Sequence, residues 1–333
     1  TGVQTCALPI LGTILLVIGN LALGGSLVVY DAILCDIASP DERDRVSSRG
    51  WAFGYIGGGL LLIVNLAMWL LAPEDLSSLA VRISLLSAGL WWGLWTLIPY
   101  RRIQNTADHA RKDVSFSTLA AGSFGQLAKT LRELSQYPQT RLFLLAYLFF
   151  NDGVQTVIAS ASVYGSEELK LGQTALVGAI VIVQIVAVFG ALFTGKMAAR
   201  FGAYRTVLNS LIVWTLVIVA GYFLPAGKAT LFFLLAASIG FILGGTQALS
   251  RSLFSQLVPR AREAEYFALY QACERGTSWL GTLAFGLVYQ LSGSYRPAIL
   301  VLILFFVVGG ILLRSVNVRE GITAAGNAQP QIA

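Results

Sequence analysis

Residues 173–195 read QTALVGAIVIVQIVAVFGALFTG, a run that contains no charged side chain. At about 1.5 Å per helical residue, such a run crosses the roughly 30 Å hydrocarbon core of a bilayer. Its apolar residues do not alternate with polar ones, which favours a membrane-spanning helix over a strand of a β-barrel. The whole chain agrees, because 56% of its 333 residues are hydrophobic and only 12% are charged.

Similar runs recur along the chain and predict an all-α, polytopic bundle of nine spanning helices. Helices suit this role because they satisfy their own backbone hydrogen bonds in lipid. Glycines spaced four apart, Gly54 with Gly58 and Gly240 with Gly244, predict close approach between helices. The predicted spans are Leu11–Tyr30, Gly50–Leu71, Ala80–Pro99, Arg141–Val163, Gln173–Gly195, Thr206–Leu224, Ala229–Leu249, Tyr266–Leu291 and Pro297–Leu313.

The distribution of lysine and arginine predicts the orientation of the bundle. If the long polar segment 101–140 is cytoplasmic, the segments on its side hold eighteen basic residues and the opposite segments hold three. This bias follows the positive-inside rule and places the C-terminus in the cytoplasm. The net charge of +6 therefore reflects the orientation of the chain in the membrane. We expect no nucleic-acid partner, because no basic cluster sits on a soluble module.

An internal repeat links two cytoplasmic loops. Segment 30–60, YDAILCDIASPDERDRVSSRGWAFGYIGGGL, aligns with segment 249–279, LSRSLFSQLVPRAREAEYFALYQACERGTSW, at an offset of 219 residues. Six predicted spans separate the copies, as expected for two parallel six-helix halves. The first span then corresponds to helix four of twelve. The alignment pairs Pro40 with Pro259, Arg43 with Arg262 and Gly57 with Gly276.

The first ten residues, TGVQTCALPI, resemble a translated sequencing-library adapter. We expect residues 1–10 to be an artefact, Cys6 not to be native, and three preceding helices to be absent. Cys35 and Cys273 are too few for a disulfide framework.

The loop sequences resemble those of one branch of the major facilitator superfamily: the vacuolar, autophagy-linked amino-acid effluxers and their bacterial relatives. The resemblance rests on segment 30–59, on LFFNDGVQTV at 148–157 and on GGTQALSRSLFSQLVPRAREAEYFALY at 244–270. Together with the charge distribution and the adapter-like start, it predicts five parts, of which 101–140 and the tail are cytoplasmic. These are the artefact 1–10, helices four to six in 11–100, a linker 101–140, helices seven to twelve in 141–314, and a tail 315–333.

The superfamily carries a loop motif, Gly-x-x-x-Asp-Arg-x-Gly-x-x-Arg, between helices eight and nine. Here that loop reads GKMAARFGAYR, which retains Gly195, Arg200, Gly202 and Arg205 as a gating loop. Ala199 stands where the acidic residue is expected, so the carboxylate that would pair with an arginine is missing from this copy.

Ionisable residues inside predicted spans are candidate functional sites, because polar groups are costly at that depth. Asp152, Glu274 and Arg275 all lie about 12–16 Å from a span end, close to one level. Two interpretations remain open. Asp152 could bind a proton or a substrate amine, with Asn151 and Gln155 adding contacts, or a fixed Asp152–Arg275 or Glu274–Arg275 pair could order the C-terminal half.

Tyr147, Asn151 and Gln155 recur every four residues and share one helix face, which predicts a cavity lining. Gln247 and Asn20 are similar candidates, although each could instead form a hydrogen bond between helices. His109, the single histidine, lies in the linker. The chain has no Cys/His metal spacing and no phosphate-binding loop, so we expect neither an enzyme nor a cofactor or metal.

These observations favour a secondary transporter, monomeric and embedded in a bacterial inner membrane. It would move a small solute by alternating access between its halves, and a proton gradient would drive it. The resemblance implies amino acids. Two alternatives remain: a lipid or lysolipid transporter, which requires a cavity with an apolar lateral opening, and a non-transporting scaffold or sensor, which requires paired polar residues and no cavity.

Overall fold

A computed structural model describes residues 2–102, 116–276 and 278–332, and every regular element in those ranges is helical. The fold is therefore the predicted all-α bundle. Short 3₁₀ turns at Glu74–Leu76 and Leu134–Gln136 and a π turn at Tyr164–Glu168 complete it. The helices are α1 (Gly2–Ile37), α2 (Arg43–Leu71), α3 (Ser77–Arg102), α4 (Phe116–Glu133), α5 (Pro138–Val163), α6 (Gln173–Phe201), α7 (Ala203–Tyr222), α8 (Ala229–Leu257), α9 (Glu263–Arg275), α10 (Trp279–Ser292), α11 (Tyr295–Leu300), α12 (Leu302–Arg314) and α13 (Val318–Ala324).

Eight of the nine predicted spans are long and apolar enough to cross a membrane in the described residues, with α11 and α12 forming one of them. The prediction of a continuous helix over Tyr266–Leu291 is wrong. Helix α9 ends at Arg275, where Gly276 donates its N–H to the carbonyl of Ala272 at 2.8 Å. Helix α10 begins at Trp279, so this region is a broken helix. Such breaks are tolerated in membranes where protein surrounds them or a cavity adjoins them.

The two parts of the chain differ in how much they bury. The apolar core centres on α5, α7, α8, α9 and α12, where the stacked rings of Tyr147 and Tyr270 lie 4.1 Å apart. In α1, α2 and α3 the most apolar stretches are only 0%, 6% and 0% buried by protein. The first three helices therefore present most of their apolar surface outward, and the last nine form a packed domain.

Helices α6 and α8 pack at close range through small residues. A Cβ atom on Gly240 would lie 2.6 Å from the carbonyl oxygen of Val183, and one on Gly244 would lie 2.3 Å from that of Ala187. The predicted close approach at these glycines is confirmed. Gly54, by contrast, has open space where its Cβ would lie, so the prediction is wrong there.

The loops gather at two ends of the bundle. The end that the charge distribution predicts to be cytoplasmic is termed the basic end, and the opposite one the far end. The basic end contains residues 38–42, 202, 258–262 and 315–317. The far end contains residues 72–76, 164–172, 223–228 and 293–294.

Contacts between α2 and α8 close the basic end. Arg43 donates to the carbonyl of Ser255 at 2.9 Å, and Ser47 donates to the carbonyl of Ala248 at 2.6 Å. All four residues are buried. Hydrogen bonds from side chains to the backbone thus join the first three helices to the packed domain at this end.

The internal repeat recurs in the structure at an offset of 220 rather than 219 residues. Helices α1 and α8 end, and α2 and α9 begin, 220 positions apart. The turn between them also repeats, since Glu42 donates its N–H to Ser39 and Arg262 donates its N–H to Pro259. The repeated turn corrects the predicted alignment by one residue.

The predicted linker, 101–140, includes positions 103–115, and therefore His109, that lie outside the described residues. Its second part forms α4. The tail after α12 folds back over the basic end, where Asn327 donates to the carbonyls of Gln256 and Val258 at 2.8 Å each.

Candidate substrate-binding site

Two consecutive residues of α5 complete the hydrogen bonding of the broken helix. Asp152 Oδ2 accepts the N–H of Gly281 at 2.7 Å, and Asn151 donates to the carbonyl of Glu274 at 3.2 Å. A backbone donor in α10 and a backbone acceptor in α9 are thereby satisfied away from water. Asp152 is fully buried, and its Oδ1 atom has no partner among the described residues. Its visible role is to anchor α10.

Glu274 lies in the last turn of α9, beside the break. Its Oε2 atom accepts hydrogen bonds from the Tyr147 hydroxyl at 3.0 Å and from Gln271 Nε2 at 3.2 Å. Gln247 donates to the side-chain oxygen of Asn151 at 2.9 Å. Residues from α5, α8 and α9 thus form one connected polar cluster around this carboxyl.

Two cavities meet at Glu274 and Gln155, which line both. The first, of about 510 Å³, lies between α2 and the packed domain and extends toward the far end. Most of its wall is aliphatic. Its other polar or aromatic-polar lining residues are Trp51, Tyr55, Ser160, Ser162, Tyr164, Gln184 and Gln247. The second, of about 570 Å³, is lined further by Leu16, Val17, Asn20, Leu21, Arg275 and Ser278.

A buried ion pair lies on the basic-end side of this cluster. Arg251 Nη1 contacts Asp31 Oδ1 at 3.2 Å, while Arg251 Nε donates to Ser47 Oγ at 3.0 Å. The guanidinium also lies 4.7 Å from the ring centre of Tyr30. Gln271 donates to Asp31 Oδ2 at 2.8 Å as well as to Glu274. One glutamine therefore connects the ion pair to the cavity carboxyl.

The structure brings some predicted site residues together and separates others. Of the three residues predicted to share a cavity-lining face, Gln155 lines the first cavity, as Gln247 does. Tyr147 and Asn151 are buried and contact Glu274 instead of lining the two cavities described. Arg275 donates to Gln271 Oε1 at 3.3 Å and lines the second cavity. The ion pairs found within the described residues do not include Arg275.

The predicted gating loop divides into two kinds of residue. Gly195 packs against α2, since a Cβ there would lie 2.7 Å from Ser48 Cβ and Oγ. Gly202 joins α6 to α7 with a φ of 87°, a conformation that favours glycine. Arg200 and Arg205 are exposed. The glycines therefore shape the basic end, and the arginines lie on its surface.

Sequence reasoning missed Asp31, Arg251 and Gln271. A signal existed, because Asp31 and Arg251 are 220 positions apart and therefore occupy equivalent places in the two halves. Cys35 likewise contacts the carbonyl of Ser255, 220 positions on. Equivalent residues meet one another next to a two-fold axis. The offset of 219 concealed this by matching Asp31 with Ser250.

A second charged cluster lies outside the spans, where α4 meets the start of α9. Glu265 accepts hydrogen bonds from Thr130 at 2.7 Å, from Arg262 at 2.6 Å and from Gln126 at 2.6 Å. Arg262 also contacts Glu133. Burial alone would raise the pKa of Glu265, but these donors outweigh it and hold the pKa below its usual range.

Solved structures of transporters share this architecture. The Escherichia coli fucose:proton symporter FucP aligns with a TM-score of 0.58 at 15% identity, over 86% of this chain and 72% of that one. A bacterial homologue of the iron transporter ferroportin, in an outward-facing state, aligns with a TM-score of 0.55 at 13% identity, over 84% of this chain and 65% of that one. The fold is that of a membrane transporter of the major facilitator superfamily.

Curated relatives narrow the class to a family. The MFS-type transporter YxiO of Bacillus subtilis is 33% identical over 301 residues, 89% of this chain and 68% of that protein. Autophagy-related protein 22 of Kluyveromyces lactis is 28% identical over 291 residues, 83% of this chain and 58% of that protein. The family model "Vacuole effluxer Atg22 like" matches residues 3–326. The chain belongs to this Atg22-like family, whose members are transporters and not enzymes.

Proposed function

We propose that this chain belongs to a secondary transporter that moves a small solute by alternating access, with amino acids as the leading class. The observation that carries the proposal is the cavity of about 510 Å³ between the first three helices and the packed domain, which ends at Glu274. The buried contacts of the basic end lie next to it. The names of the family and of the fucose:proton symporter support an effluxer and a proton-coupled mechanism, respectively.

The charges at the helix break suit a zwitterion. Glu274 can accept hydrogen bonds from an ammonium group, and Arg275, on the adjoining cavity, can donate to a carboxylate. The aliphatic wall of the first cavity suits an apolar side chain, and Gln155 lies where the two cavities meet. Discontinuous membrane helices commonly build such sites in transporters.

Glu274 is also the best candidate for a proton site. A carboxyl in a span needs a cation or hydrogen-bond donors, or else it retains a proton. Because Gln271 donates to both Glu274 and Asp31, a change of charge at Glu274 alters the partner of Arg251. We infer that a proton and the solute ammonium compete for Glu274, and that Gln271 couples this exchange to the closed basic end.

The surrounding topology completes the proposal. Residues 11–100 supply helices four to six, residues 141–314 supply helices seven to twelve, and 101–140 and 315–333 are cytoplasmic. The basic end then faces the cytoplasm of a bacterial inner membrane, and the cavity faces away from it. The transporter functions as a monomer.

The cavity also bears on the two alternative functions, a scaffold or sensor and a lipid transporter. A scaffold or sensor needs no solute cavity, so the space beside Glu274 favours a transporter. A lipid or lysolipid transporter gains support from the mainly aliphatic wall. The charged residues Glu274 and Arg275 at the inner end of the cavities favour the amino acid.

Binding of radiolabelled amino acids to the purified chain tests the proposal. Glu274→Gln removes the carboxylate but preserves size, and should weaken binding at least tenfold, or about 1.4 kcal/mol. It should also abolish the dependence of binding on pH. Counterflow in vesicles containing a full-length homologue, with the equivalent carboxyl replaced, extends the test to transport.

Glu263→Gln is the matched control, because Glu263 lies in the first turn of the same helix, away from both cavities. It should bind as the parent chain does. Unchanged affinity and pH dependence in Glu274→Gln would contradict the role of Glu274. Binding of lysolipids but not of any amino acid would favour the lipid transporter.

A further inference from the structure

The chain that follows α12 first docks on the packed domain. In α13, Ile322 is fully buried, and a Cβ on Gly321 would lie 2.6 Å from Leu257 Cδ2 at the end of α8. Just before α13, Asn317 donates its N–H to the side-chain oxygen of Gln139, in the first turn of α5, at 2.9 Å. The start of the tail is therefore fixed to α5 and α8.

The tail then crosses to the other part of the molecule. Gly326 redirects the chain after α13, with a φ of 73° that favours glycine. The segment 327–331, termed the strap, follows without regular structure. At its start Asn327 donates to two carbonyls at the end of α8, at 2.8 Å each. Four residues further on, Gln331 donates its N–H to Asp41 Oδ1, in the loop between α1 and α2, at 2.7 Å. The strap thus joins the packed domain to the first three helices.

The strap is short, which limits how far its two attachments can separate. Four residues of fully extended chain span at most about 14 Å. Pro330 lies within the strap, is buried and has a fixed φ, so the segment is stiff near its second attachment. With both attachments made, the loop at 38–42 cannot move far from the end of α8. Opening of the basic end in alternating access requires these two parts to move apart.

We propose that the strap holds the basic end closed, and that the hydrogen bond from Gln331 to Asp41 breaks when this end opens. The inference rests on the proposed alternating access, because a strap has an effect only at an end that opens. The attachment at Asn327 lies within the packed domain and stays in place during opening. Asp41 and Gln331 are both exposed, so water can replace the lost partner and the strap is released at little cost.

The thiol of Cys35 reports whether the basic end is closed. Its Sγ atom lies 3.8 Å from the carbonyl oxygen of Ser255, between α1 and α8, and becomes accessible when these helices part. The test measures the rate at which a maleimide alkylates Cys35 in the purified full chain. Cys6→Ala and Cys273→Ala remove the other two thiols from the parent chain and from every variant.

Two substitutions of Gln331 form a matched pair, because Gln331→Pro removes the donor N–H and Gln331→Ala keeps it. Gln331→Pro should accelerate alkylation several-fold, and Gln331→Ala should react at the rate of the parent chain. Asp41→Ala removes the acceptor and should match Gln331→Pro, and the two combined should react no faster than either alone. An unchanged rate in either Gln331→Pro or Asp41→Ala, or equal acceleration in Gln331→Ala, would overturn the proposal.

A chain shortened to end at Ala325 distinguishes a strap from a simple cover. It keeps α13, loses the strap and should react at least as fast as Gln331→Pro. Faster alkylation in this chain alone would mean that the segment only shields the thiol, and would overturn the proposal.

Binding of a radiolabelled amino acid to the same preparations tests the proposed function separately. Binding together with an unchanged alkylation rate in Gln331→Pro would contradict the strap alone. A parent chain that binds no amino acid would contradict the proposed function, and the alkylation rates would still decide whether the strap holds the basic end closed.

Discussion

The Asp31–Arg251 pair and the Glu274 carboxyl lie on either side of Gln271, yet their surroundings differ. Asp31 and Arg251 are each 3% exposed and contact fixed groups on α1, α2, α8 and α9. Glu274 lines two cavities, and its hydrogen-bond donors among the described residues, Tyr147 and Gln271, are uncharged. A carboxyl with a permanent cation stabilises one arrangement of helices, whereas one without a cation remains available to a solute or a proton.

Breaking the Asp31–Arg251 ion pair should have the largest effect on the free energy of unfolding. Asp31→Asn leaves the buried Arg251 without its counter-charge, which costs about 3–5 kcal/mol when one member of a buried pair is removed. We expect a correspondingly lower free energy of unfolding in detergent, together with increased labelling of Cys35 by a thiol reagent.

The double variant Asp31→Leu with Arg251→Met is the control for that prediction. It removes both charges and should recover most of the lost stability, because apolar replacements of a buried pair are often neutral. A double variant as unstable as Asp31→Asn would show that the pair does not account for the loss.

Adding a side chain at Gly195, at the basic end, should lower the stability by a smaller amount. Gly195→Ala places a Cβ 2.7 Å from Ser48, so α2 and α6 must move apart. Overpacking of this kind costs about 1–3 kcal/mol. A distance measured between spin labels on α2 and α6 near the basic end should increase.

Gly54→Ala provides the comparison, because a Cβ on Gly54 meets nothing within 4 Å. It should leave the distance unchanged and should not lower the stability, since alanine is favoured over glycine inside a helix by about 0.5–1 kcal/mol. An unchanged distance in Gly195→Ala would mean that the contact with Ser48 does not hold the basic end closed.

Lowering the pH at the second charged cluster, around Glu265, should have the smallest effect on stability. The direction of this effect follows from the pKa of Glu265. The donors around Glu265 lower its pKa in the folded chain, so its carboxylate stabilises docking of α4 above the ordinary pKa of about 4.3. That contribution is lost as the pH falls through the folded value. Proteolysis of α4 should therefore become faster below about pH 4.

Glu265→Gln tests this assignment. The amide lacks the titrating proton, so proteolysis of α4 should no longer depend on pH in that window. The variant should leave the Asp31–Arg251 pair intact, since the clusters share no residue. A pH dependence that persists in Glu265→Gln would assign it to another group.

Much of the fold could be predicted from the sequence, because the length of an apolar run is a local property. Eight spans follow from it. The break at Gly276 does not, because the glycines of other spans leave their helices continuous. The break also depends on Asn151 and Asp152, which lie on a different helix.

The candidate site was only partly predictable. The four-residue spacing indicated that Tyr147 and Asn151 share a face, and the depth of Glu274 and Arg275 marked the level of the site. Asp152 was a candidate because it is an acidic residue far from the ends of its predicted span, yet its carboxylate accepts the backbone N–H of Gly281. In the sequence, a carboxyl that anchors the backbone and one that binds a solute both appear as an acidic residue deep in a predicted span.

By itself the sequence determined that the chain spans a membrane, how its loops distribute charge, and which family its loops resemble. Only the tertiary structure decided that Arg251 pairs with Asp31 and that Glu274 lines a cavity. The physical reason is the solvent. In a bilayer the outer faces of helices are as apolar as the buried ones, so periodicity does not reveal which faces meet. Which polar groups meet is fixed when the helices pack.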